Sequence, residues 1–158
     1  MSNEYNEDAY RDARKSINPA PCAFEKAVLA RCVSCELAEK HLLAERETIN
    51  CHEAEAQKTC AELRTALRTH AAFTLKITSL NAPVPHGKEI RAQCGGLKGL
   101  QNALSGTEEV PNARKLVLDA LAQYGDLESL PYSVIVQTVA NFSIRRRNPP
   151  AANEWLIG

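Results

Sequence analysis

Six cysteines, at positions 22, 32, 35, 51, 60 and 94, constrain this 158-residue chain more than any other feature. A chain of this length buries about 68–70% of its unfolded surface in a single core. One domain with a real core is therefore expected. The first residues, Met1–Asp8, are acidic with no apolar run behind them. The longest uncharged stretch, Ser129–Ile144, is interrupted by Gln137, Thr138, Asn141 and Ser143. Neither has the form of a signal peptide or a membrane span. The expectation is a cytoplasmic protein, in which thiols stay reduced and grouped cysteines point to metal or redox chemistry before structural disulfides.

Nineteen basic side chains are balanced by nineteen acidic ones. Nothing in that balance drives the chain toward nucleic acid or an anionic membrane, so the expected partner is another protein, either a redox partner or a regulated target.

Residues 1–18 form a polar arm, 19–147 a cysteine-rich helical domain, and 148–158 a C-terminal tail. From Cys22 to about Thr48 there is no Gly or Pro, and Ala, Leu, Glu, Lys and Arg dominate, which predicts a long helix. Its apolar face collects Phe24, Val28, Cys32, Cys35, Leu42 and Ile49. Asn50 with Glu53 has the form of a capping box opening a second helix, Cys51 to Thr69 or on toward Ile77, with Cys60, Leu63, Leu67 and Ala71 inward. A third helix is expected over Lys88–Ser105, where Ile90, Cys94, Leu97, Gln101 and Leu104 align. Gly95, Gly96 and Gly99 would there admit another backbone or a cofactor. A fourth, Asn112–Tyr124, stops at Gly125. Pro131 opens a fifth, with Ile135, Val139 and Phe142 inward. The predicted class is all-α: a single-domain bundle of about five helices with a long N-terminal helical hairpin.

On that hairpin Cys32-Val-Ser-Cys35 presents two thiols on one helical face. Antiparallel packing with a turn at Thr48–Asn50 sets Cys60 within one turn of their level. Cys94 faces the core from the third helix beside two glycines. Cys32, Cys35, Cys60 and Cys94 are thus the expected ligands of an iron–sulfur cluster, [4Fe–4S] in type, serving electron transfer or redox sensing, with zinc as the alternative. Cys51 falls about 18 Å up the hairpin and Cys22 about 15 Å the other way at 1.5 Å per residue, which leaves both as reserves. Free cysteines also pack as small hydrophobes, so an interaction or adaptor protein with inert thiols is the competing expectation. A disulfide scheme pairing Cys22 with Cys60 and Cys32 with Cys51 requires a turn near His41, where no turn residues occur.

No catalytic group stands out, and the chain is expected to be non-enzymatic. His41, His52, His70 and His86 lack the Glu-x-x-His spacing of a di-iron bundle. His70 lies near Cys60 as a substitute ligand, and His86 with Cys94 as a long-range nucleophilic pair. Gly95-Gly-Leu-Lys-Gly99 lacks the frame of a phosphate-binding loop. Arg145–Arg147 complements a helix C-terminus or docks an acidic partner. Trp155–Ile157 forms an apolar tail suited to its own core or to a partner.

Overall fold

Helix propensity does not decide the first third of the chain. The computed structural model describes residues 20–79 and 82–143. The 1–18 arm, Arg145–Arg147 and the 148–158 tail with Trp155–Ile157 lie outside the described residues. In place of one long helix over Cys22–Thr48, the chain forms a five-residue helix, α1 (Glu25–Leu29), and passes through Arg31 in a left-handed conformation (φ 65°). It then builds an antiparallel β-hairpin of β1 (Ala38–Leu43) and β2 (Arg46–Cys51). The register runs from Leu43 opposite Arg46 to Ala38 opposite Cys51.

The hairpin turns on Ala44 and Glu45, both at positive φ (54° and 68°). That is the handedness that matches the twist of two paired strands. The turn is made without the Asn-Gly or Asp-Gly that normally signals it. Helix preferences among Ala, Leu, Glu and Lys differ by only tenths of a kcal/mol per residue, about 0.7 at most. Tertiary pairing outweighs them. Cys22 N–H donates to Ile49 O (2.9 Å), Cys51 N–H to Ala20 O (2.8 Å) and His52 N–H to Leu37 O (2.9 Å). Thr48 and Ile49 become fully buried, whereas Leu42, expected on the buried face, is 73% exposed.

From residue 54 onward the expected pattern holds. Helix α2 (Ala54–Leu75) buries Leu63, Leu67, Ala71 and Leu75. It begins after extended Glu53, because Asn50 and Cys51 are committed to β2, and the expected capping box does not form. Helix α3 (His86–Ile90) continues through one π turn (Arg91–Gly95) into α4 (Gly96–Ser105). Helix α5 (Ala113–Tyr124) is capped by Asn112, whose side chain accepts from Arg114 N–H, and ends at Gly125 (φ 94°). After a 3-10 turn (Leu127–Ser129), α6 (Tyr132–Asn141) buries Ile135 and Val139. Phe24, Leu63, Leu97, Leu100, Leu116 and Ile135 meet in one core. The chain is mainly α with a two-stranded sheet rather than an all-α bundle. Among the described residues no helix is long and apolar enough to cross a membrane.

The three glycines admit neighbouring elements, not a cofactor. A Cβ on Gly95 would stand 2.8 Å from Val139 Cα and one on Gly99 3.0 Å from Ile135 Cα, both on α6, while Leu67 fills the space at Gly96. Gly95→Ala gains about 1 kcal/mol of helix propensity, but the contact is with backbone that no rotamer change can move. Overpacking of this kind costs about 1–3 kcal/mol, so urea denaturation should show a net loss. Gly87, with nothing within 4 Å of its added Cβ, is the control. Gly87→Ala should stabilise by up to about 1 kcal/mol.

Candidate functional site

The hairpin gathers cysteines that a straight helix would have kept apart. Pairing of residues 20–22 with β2 sets Cys22 opposite Ile49 and Ala20 opposite Cys51, which leaves Cys22 and Cys51 as diagonal neighbours on one face. Ala38 N–H donates to Cys35 O (3.1 Å) and Ala38 pairs with Cys51, which carries Cys35 to the same end of the sheet. Helix α2 leaves from that end, and Gln57 Nε2 donates to Pro21 O (3.0 Å), pinning the turn that precedes Cys60. Cys22, Cys35, Cys51 and Cys60 thereby line one narrow cavity, together with Ala23, Leu37, Ala38, Ala56, Gln57 and Arg114. All four are half-buried and unbridged. Cys51 Sγ donates to Glu53 O (3.3 Å). Arg114 is held over the cavity by an ion pair from its Nη2 to Glu53 Oε1 (3.0 Å).

Cys32 and Cys94 are elsewhere. They are joined in a disulfide with a Cα–Cα distance of 5.7 Å, which links positions 62 residues apart, and Cys94 is wholly buried. The structure therefore divides the four expected ligands. Cys35 and Cys60 sit in the thiol cavity, Cys32 and Cys94 are bonded to each other, and the two reserves, Cys22 and Cys51, complete the cavity set. The physical reason is the loss of helix after Leu29: without it Cys32 and Cys35 share no face. A disulfide sulfur offers no thiolate, so only the cavity four present thiols for binding. The histidines contribute nothing to this cavity. His70 stacks on Tyr132 with ring centroids 3.7 Å apart, and His86 Nδ1 lies 2.9 Å from Lys26 Nζ rather than beside Cys94.

Burial pushes the Cys22 thiol up from 9.0 to about 12 and the Cys60 thiol to about 11. The surrounding thiols add repulsion at both, and Arg114 partly opposes it at Cys60. A nucleophilic cysteine requires the opposite, a lowered pKa. At neutral pH both thiols are therefore protonated. In the metal-free protein both folded values lie above the unfolded one. Stability should be full below pH 9 and fall as pH rises toward 11–12, because the unfolded chain then releases protons that the fold retains. Urea midpoints at pH 8 and pH 10.5 should differ in that direction, and Cys22→Ser should reduce the difference.

Among the described residues, no three Cys, His, Asp or Glu side chains are placed to grip a single metal ion. The four thiols line a cavity of about 20 Å³, room for about one water. Compared with known protein families, curated proteins and solved structures, the chain matches none.

Proposed function

We propose that Cys22, Cys35, Cys51 and Cys60 hold an iron–sulfur cluster of the [4Fe–4S] type, and that the protein transfers electrons or senses redox state with a protein partner. The observation that carries this is the convergence of four unbridged cysteines, from four separate segments, on one cavity. A zinc ion would draw four sulfurs to about 3.8 Å from one another, as tetrahedral bonds of about 2.3 Å require. A cubane takes one thiolate at each of its four irons, a count matched by four unbridged cysteines from four segments. Thiolates in this half-buried cavity need positive charge, which the cluster core supplies and Arg114 supplements. Binding displaces protons from at least Cys22 and Cys60, so affinity should rise with pH, about tenfold per unit for each proton released. A cytoplasmic location belongs to this proposal.

Protein purified anaerobically should be brown, absorb near about 400 nm and carry about four iron and four sulfide per chain. Serine at position 22, 35, 51 or 60 should abolish that colour. The Cys32→Ala, Cys94→Ala double variant should keep it. Retention in Cys51→Ser together with loss in the double variant would return the ligands to Cys32, Cys35, Cys60 and Cys94. A chain that stays colourless after anaerobic reconstitution overturns the cluster, and stoichiometric zinc in its place identifies a zinc-stabilised module.

A further inference from the structure

We infer that the cleft between α1, α2 and α3 is a binding site for a small oxyanion or carboxylate, held on the Arg64 guanidinium with Arg68 and Lys26 beside it. The site stands whether or not the thiols hold a cluster.

Arg64 and Arg68 are one turn apart on α2 and both line this cleft. The carboxylates that border it are already engaged by the protein. Glu89, 2% exposed, accepts from Arg68 Nε (2.7 Å) and from Gln93 Nε2 (2.5 Å). The amide of Gln93 is fixed in turn, its oxygen accepting from Ala27 N–H (3.1 Å). Glu25 Oε2 accepts from Ile49 N–H (2.8 Å). Among the described residues Arg64 is left with one long bond, from Nη1 to Ala23 O (3.3 Å), and its Nε, closed to solvent, has no acceptor.

Three cationic side chains, Lys26, Arg64 and Arg68, thus face two carboxylates, Glu25 and Glu89, in one cleft. Burial and the neighbouring Arg68 press the Arg64 guanidinium below its ordinary value, a strain on the charged form that a bound anion relieves. A half-buried guanidinium with free donors in one plane matches the two oxygens of a carboxylate, phosphate or sulfate. The cleft also shares Cys22, Ala23 and Gln57 with the thiol cavity, so a bound anion would lie against the same wall as the four thiols.

Isothermal titration calorimetry of the intact protein, at constant ionic strength set with sodium chloride, tests this with inorganic phosphate, sulfate and acetate in separate arms. Saturable binding of phosphate or sulfate alone assigns tetrahedral oxyanions, and of acetate alone a carboxylate. Saturation in every arm supports a general anion site. Arg64→Gln should weaken binding by about tenfold or more, the value of a charged hydrogen bond, and Arg64→Lys by less. Lys26→Gln, which alters an ammonium at a partly exposed position beside His86, should weaken it severalfold and serves if the Arg64 variants do not fold. No saturation in any arm overturns the proposal, as does binding that neither Arg64→Gln nor Lys26→Gln changes.

Discussion

Removing the Cys32–Cys94 bridge, by Cys32→Ala together with Cys94→Ala, is expected to lower the free energy of unfolding by about 4 kcal/mol. The bridge closes a loop over a sequence separation of 62. A cross-link of that span restricts the unfolded ensemble by about 14 cal/mol/K, which is about 4 kcal/mol at 25 °C. Few single features of a domain with about 5–15 kcal/mol of total stability contribute so much. The bridge also ties the irregular stretch after α1 to the π turn at Arg91–Gly95, where regular hydrogen bonding between the two is absent. Alanine is the proper replacement, because a serine hydroxyl at position 94 would be buried without an assured partner. Urea unfolding with and without dithiothreitol, at matched metal content, provides the check. The wild type should lose midpoint on reduction and the double variant should not respond. Identical wild-type curves under both conditions would refute the cross-link.

Glu89→Ala should cost about 3 kcal/mol, the usual penalty for breaking a buried ion pair from one side. The carboxylate is 2% exposed and is the shared acceptor for Arg68 and Gln93. Its loss strands the Gln93 amide in the core, where 3% of that residue is exposed, and unpairs a guanidinium that is only partly hydrated. Glu89→Gln should cost less, since it retains one acceptor but sets an amide N–H₂ against other donors. Arg68→Met combined with Glu89→Leu should recover the part of the loss that comes from the unpaired guanidinium, since apolar groups of similar size need no partner, while the Gln93 amide stays unpaired. A double-mutant cycle by chemical denaturation measures that coupling. Strictly additive single costs would mean that the pair acts as two independent groups.

These two features differ in how far they could be anticipated. The helices after residue 54 carry their own signals. Leu63, Leu67 and Ala71 mark the buried stripe of α2, Asn112 caps α5 and Gly125 ends it, and Pro131 precedes α6. The glycines at 95 and 99 announce close packing, though not that α6 is what approaches. The hairpin carries no comparable signal. Its turn is Ala44–Glu45, its first strand is made of good helix formers, and Leu42 points to solvent. The hydrogen bonds that select it come from Ala20, Cys22 and Leu37, outside the two strands.

Composition and spacing by themselves determine that this chain is mainly helical, that cysteine is its outlying residue, and where most of its later helices begin and end. Those properties follow from local periodicity and caps, which act over three or four residues. Only the tertiary structure decides which cysteines share a cavity and which are bonded. Replacing a helix by a hairpin changes which residues are neighbours: strand pairing puts Cys22 diagonally beside Cys51, the end of the sheet brings Cys35 and Cys60 to them, and Cys32 is left to meet Cys94 in the core.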